Sequence, residues 1–472
     1  MQHTFLVVLM MGFAVAAGCG ARSNLLGLEG AIGGGTGGHG GDVIDAGPDA
    51  PPPPPPCALV AAGAAVDVVA LPDRHATAPS AVAFGAMGVA VQVFASGGNS
   101  LAHDDIQLVG FTMGDAWPSG LAQTAAPQLF GIESHGWANL VLARSQAELA
   151  LTWHGDPGGK GRPLFRLWDI ATWSPKAPID ISPNGEGVLA TAPGAGVGTN
   201  GVGYGGDGYG VIHREVIPGG GTNTRPVAVV LNAQGERVLG PHPVAAAAEY
   251  PGASTAIVWS GSTYLMATSF TTCPSGDMLC APLSVVITRV RPASGDGKDD
   301  SGIDFVTALP ATPGSAVIGR VAIAHHAGRT YVAFSEGDQS GTGNPRRVRI
   351  AELSPTGDLV GGPVTIDDAA PMQSRLTLVA SDLGVSATWA EDGDITAPDD
   401  VPGRSMIVTT HLDLDLTVLS TRVAIPVTRW QTYGAPQGTA LTQPRSLFLV
   451  WSGRSESNGF DDTWAARLDC AK

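Results

Sequence analysis

Carboxylates are the side chains whose spacing in this 472-residue chain could support chemistry. They recur in short polar stretches, each following a strand-like apolar run: Asp104 and Asp105, Asp156, Glu336 and Asp338, Glu391 with Asp392 and Asp394, Asp399 and Asp400, and Asp461 and Asp462. Brought around one opening, such groups could hold Ca²⁺, bind a cation or accept hydrogen bonds from a sugar. Two of them facing one another across a cleft could hydrolyse a glycosidic bond. A plainer reading stands beside these. Asp and Gly collect in turns because the Asp side chain bonds the turn's own backbone.

The strict catalytic signatures do not occur. The nearest string to a His-Glu-x-x-His motif, His213-Arg-Glu215, lacks the second His, and there is no Gly-x-Ser-x-Gly elbow. Gly196-Val-Gly-Thr-Asn-Gly201 has the spacing of a dinucleotide loop but lies in a glycine-rich stretch with no helical pattern after it. His325 and His326 are neighbours on a strand and point to opposite faces, so a solvated turn is expected there, not a joint metal site. No catalytic residue and no metal ligand is assigned. No cofactor is expected beyond Ca²⁺ at the acidic loops.

Loops can share one opening only if a scaffold aims them. Arg320–His325 reads as a strand, and a turn at Gly328-Arg329 leads into a second, Thr330–Phe334. A polar loop follows, then an alternating strand at 347–353, a Ser-Pro-Thr-Gly turn, and a fourth strand from Leu359. Similar units surround Phe94, Trp153, His213, Ala267, Trp389 and Trp451. The anchors lie roughly 55–65 residues apart, which suits four strands with extended loops. The expected fold is therefore all-β: a roughly seven-bladed β-propeller of four-stranded antiparallel blades over residues 57–472. If each blade's strands are lettered a to d, the acidic stretches are mostly b–c loops, which emerge together around the channel mouth. Sialidases share this architecture, but their Ser-x-Asp-x-Gly-x-x-Trp box is matched only out of order by Ser457–Trp464. Arg225, Arg289, Arg347, Arg375 and Arg422 are expected on solvated strand faces, and Asp392-Gly-Asp394 falls short of a calcium loop.

The last unit stops after its third strand, while 62–71 is a strand with no unit of its own. A ring with an open seam exposes strand edges, so the N-terminal strand is expected to complete the last blade. The cysteines fit this closure. Cys470 ends the last c strand and Cys57 precedes the closing strand, so a Cys57–Cys470 disulfide would staple the seam; Cys273 and Cys280 would clip one b–c loop. In the chain-entropy view the ring-closing bond is worth roughly 5 kcal/mol.

The start of the chain is not part of this fold. Residues 5–17 are apolar but too short to span a bilayer, and they end in Ala16-Ala17-Gly18-Cys19. This box resembles that of bacterial lipoproteins, although Ala16 stands where Leu is commoner and residues 1–4 carry no Lys or Arg. The resemblance implies a signal peptide over 1–18, Cys19 as the lipidated residue (palmitate in that family), and membrane attachment through that lipid. Gly20 in place of Asp implies an outer-membrane or cell-surface location. Residues 19–56 are Gly-rich and then carry six prolines, so they read as a stalk. The net charge of −16 argues against a nucleic-acid partner. The expected function is a non-catalytic binding or scaffold module at the envelope, with a protein or glycan ligand on the b–c face. A glycan-active hydrolase or lyase and a purely structural envelope protein are the alternatives.

Overall fold

The computed structural model describes residues 24–25, 55–71, 73–96, 104–134, 141–144, 148–155, 162–181, 201–206, 208–216, 224–244, 255–270, 284–291, 302–317, 321–338, 347–368, 376–430, 436–455 and 460–471. Cys19, Asp156, Cys273 and Cys280 lie outside them, as does Arg375. The described residues form strands and turns without a helix. Seven sheets of consecutive antiparallel strands follow one another along the chain, so the protein is a seven-bladed β-propeller; Asn24–Leu25 adds in parallel to the first strand of the sixth sheet. Blades one to six occupy 75–134, 141–180, 201–243, 255–310, 315–367 and 377–427. The seventh begins with strands a at Gln437–Leu441, b at Ser446–Arg454 and c at Asp461–Cys470. The seven a strands touch in order, and the last touches the first, which closes the ring.

The seventh blade is completed from the N-terminus. Leu59–Ala61 and Val66–Val69 both pair antiparallel with Asp461–Cys470, at Leu59↔Cys470 and Asp67↔Trp464. The closing strand is thus broken by a short bulge that the sequence, read as one strand over 62–71, did not announce. Within the bulge the Ala64 carbonyl accepts a hydrogen bond from Trp117 Nε1 of blade one. The Cys57–Cys470 disulfide joins residues 413 positions apart, with Cα atoms 5.4 Å apart. It stands at the end of the seam away from the b–c loops, because c runs from Asp461 down to Cys470.

The hydrophobic core is divided. Seven buried clusters each join two neighbouring blades, including the pair made by blades seven and one. Inner strands are accordingly covered on both faces: Gly384–Trp389 is buried at every position although Ser386 and Thr388 alternate with its apolar residues, and their hydroxyls bond His411 and Thr409 within the sheet. The outer d strands carry the exposed positions, as in Gly302–Pro310. Trp153, Phe334, Trp389 and Trp451 pack against the preceding blade. Phe94 and Ala267 pack against the following one, so the recurring anchor alternates between two sheet faces. The tight turn expected in blade five is two residues, Ala327 and Gly328, at φ 50° and 77°, the left-handed geometry that suits the twist of a hairpin.

Candidate functional site

Antiparallel strands reverse direction at each step, so the b–c loops and the d–a connections leave from one face of the ring. The carboxylates on that face divide by what holds them. Glu336, in the b strand Arg329–Asp338 of blade five, is 1% exposed. Arg349 Nη1 approaches its Oε1 at 2.8 Å, Arg347 Nη1 its Oε2 at 3.4 Å, and the Thr312 amide donates to it at 3.0 Å. Burial alone would raise this carboxyl, but the Arg349 and Thr312 hydrogen bonds outweigh it and hold it below the usual range. Glu391 occupies the matching place in blade six, two residues beyond Trp389. Trp389 Nε1 donates to its Oε1 at 2.6 Å, and Arg422 Nη2 to its Oε2 at 2.6 Å. The same guanidinium reaches Asp367 of blade five and so ties two blades together. Arg422 sits at φ 50°, a conformation L side chains rarely adopt, where its strand slips register. Arg347 and Arg422, expected on solvated faces, are instead the partners of buried carboxylates.

The loop that follows blade six's b strand is built from its own acids. Asp394 accepts from the Thr396 amide and hydroxyl at 2.9 and 2.6 Å, which lowers its carboxyl. Asp399 takes Arg429 at 2.8 Å and Arg404 at 3.4 Å, and is lowered chiefly by Arg429. Asp392 and Asp400 are exposed. Asp104 opens the c strand Asp104–Met113 of blade one, and Asp338 ends the b strand of blade five. Asp105 pairs with Arg74 at 2.6 Å.

At the seam the two consecutive acids part. Asp461 turns toward blade one, with His75 Nδ1 3.0 Å from its Oδ2 and Arg454 at 3.8 Å. Asp462 turns the other way, beside Asp67 of the closing strand, and is 1% exposed. Partial burial of the Asp67 carboxyl, followed by the charge and hydrogen bond of Asp462, pushes Asp67 up to about 7. Asp67 went unnoticed among the candidate residues, although a single acid inside the apolar run Ala64-Ala-Val-Asp-Val-Val69 was the available signal. His325 and His326 are not a solvated turn. His326 is 5% exposed and meets Asp382 of blade six at 2.9 Å; His325 is pushed down to about 4, first by burial and then by its neighbour. No group of three or more His, Cys, Asp or Glu stands together as a metal centre among the described residues.

No protein-family model matches the chain, and no curated protein does either. Among solved structures it is similar to a protein of unknown function from Dyadobacter fermentans, at TM-score 0.46 and 11% identity over 86% of this chain and 98% of that one. It is also similar to the Penicillium chrysogenum alpha-L-arabinanase complexed with arabinobiose, at 0.44 and 8% over 88% and 99%. A third is the Trypanosoma rangeli sialidase in complex with sialic acid, at 0.38 and 10% over 87% and 57%. Likeness at this level carries no argument about ligand or chemistry.

Proposed function

We propose that this chain is an exported, lipid-anchored propeller that acts as a non-catalytic binding module at the cell envelope. The lipoprotein-like box at Cys19 and the Gly/Pro stalk supply the anchor, and the b–c face supplies the surface for a protein or glycan ligand. One observation carries the preference for binding over catalysis. Among the acids of that face, Glu336 and Glu391 are built into blades five and six and each is locked by arginine, and Asp394 and Asp399 hold the shape of their own loop. Such groups make a rigid platform; a hydrolase needs a carboxylate and a proton-bearing carboxyl free to approach one bond.

The glycan-hydrolase reading has a specific observation of its own. Asp67 keeps its proton up to about pH 7 beside a second carboxyl, Asp462. Against it, both belong to the two outer strands of blade seven and not to the a strands that line the channel. A glycan array probed with the full exported chain, together with calorimetric titration by Ca²⁺, tests the binding proposal. Retention of at least one glycan or a Ca²⁺ heat supports it; silence in both removes it. Release of reducing sugar from a retained glycan, lost in Asp67→Asn, would move the reading to the hydrolase.

A further inference from the structure

Asn24–Leu25 pairs in parallel with the a strand of blade six, Thr377–Ser381, at Asn24↔Val379 and Leu25↔Ala380. It joins that sheet on the side away from the b strand, which is the edge turned to the axis of the ring. It also lies against the a strands of blades two, five and seven, Val141–Arg144, Ala322–His326 and Gln437–Leu441. Blades two and six are three places apart one way round and four the other, so they face each other across the ring. A segment that meets a strands on both sides of the ring lies in the central channel. The inner edge of an a strand carries N–H and C=O groups that its own blade leaves unpaired, and such an edge accepts a further strand. The local sequence suits a channel lined by buried strands: Leu25, Leu26 and Leu28 follow one another closely, and the flanking charges are Arg22 and Glu29.

The pairing also has a direction. Each a strand begins at a d–a connection, on the b–c face, and ends at its a–b turn on the opposite face. Ala380 is the last residue but one of its strand, so Leu25 stands near the a–b face and the chain before Asn24 leaves toward the b–c face. Cys19 is five positions before Asn24, a reach of at most about 18 Å of extended chain. The outer strand of blade six is four strand spacings from Asn24–Leu25, about 19 Å. Five residues therefore cannot carry Cys19 around the rim, and it belongs to the b–c side. Cys57, bonded to Cys470, is on the other side.

We propose that Asn24–Leu25 is an internal strand lodged in the channel, and that it turns the b–c face toward the membrane at which Cys19 is anchored. This deepens the anchored-module reading and rests on it for the lipid. Residues 26–56 are then the connection from the channel to the closing strand, not a spacer between membrane and blades. A ligand of the b–c face meets its loops at the membrane surface and not an open bore.

The strand is tested without any membrane. The full chain carrying Leu25→Cys and Ala380→Cys is oxidised and its peptides mapped by mass; Leu25→Cys with Val202→Cys, on the a strand of blade three, is the control. Paired Cα atoms lie within disulfide range, so the 25–380 bond forms in most molecules and the 25–202 bond does not. Asn24→Pro with Leu25→Pro adds no thiol and removes the donors of the strand. Amide exchange across 376–383 then rises roughly tenfold or more, while circular dichroism confirms the fold. Equal yields from the two cysteine pairs, or parent-like exchange in the proline variant, overturn the internal strand. Orientation is read on the lipid-bearing chain bound to phosphatidylcholine vesicles with a headgroup quencher. A fluorophore is placed at Asp400→Cys in the blade-six b–c loop or at Asp415→Cys in its c–d turn, both exposed positions on opposite faces. Quenching is stronger at 400; equal or reversed quenching overturns the orientation and leaves the anchor. A chain whose mass shows no lipid at Cys19 loses the anchor and the orientation together, and keeps the internal strand if the disulfide and exchange results hold.

Discussion

Single carboxyls in this ring respond to pH in opposite senses, and the partner each has found decides which. Glu336 is held below its ordinary range by Arg349 and Thr312 against the pull of burial, so its contribution is present above its unfolded pKa and lost as acid protonates it. Asp67 is the reverse case. Its native carboxyl keeps a proton up to about pH 7, whereas in the unfolded chain it would lose that proton near 3.8. Between those values the folded state binds more protons than the unfolded state, so stability from this group falls as pH rises and levels off above about 7. Asp67→Asn removes that fall. The difference in urea midpoint between variant and parent should therefore grow in the variant's favour from pH 4.5 to 7.5. A difference that stays constant over that range would show that the fold does not raise the Asp67 carboxyl.

At the scale of strands, the seam is where sequence and structure agree most closely. A unit lacking its fourth strand, an unclaimed strand at the other end, and a cysteine beside each pointed to one closure, and Leu59–Ala61, Val66–Val69 and Cys57–Cys470 form it. What the sequence hid has a physical cause. Blade faces are covered on both sides, so apolar periodicity shows that a strand exists but not which neighbour each residue meets. Asp461 and Asp462 look alike as letters; alternation sends one to His75 in blade one and the other to Asp67. Arg347 and Arg422 looked like solvated surface because no spacing rule links them to Glu336 and Glu391, 11 and 31 positions away. The disulfide closes a loop of nearly the whole domain, so its removal enlarges the unfolded ensemble a great deal. Replacing Cys57 and Cys470 together by Ser should cost about 2–5 kcal/mol in guanidinium unfolding under oxidising conditions. Reductant should abolish the gap between parent and variant, and a gap that persists would mean the bond is not what separates them.

For the molecule as a whole, closure matters more than any one interface. Among the described residues no apolar cluster spans more than two blades; each blade is held by its two neighbours through separate clusters. A linear stack of such units would have two frayed ends, and the ring removes both by seating residues 59–69 on the c strand of blade seven. Arg467 reinforces the joint from inside. Almost fully buried, it donates at 2.6 Å to the Gly114 and Asp115 carbonyls of blade one and at 2.9 Å to Asp469. Removing residues 57–71 would leave Asp461–Cys470 as an unpaired edge with an apolar face, which invites pairing with another chain. Such a truncated chain should leave the monomer peak in size-exclusion light scattering. A peptide of residues 57–71 added during refolding should restore the monomer by taking the vacant strand position, in the manner of strand complementation. Oxidation should then join it to Cys470, which peptide mass mapping reads directly. A truncated chain that stays monomeric and melts like the parent would show that six complete blades and a three-stranded seventh suffice, and that the N-terminal strand is an ornament to the ring and not its clasp.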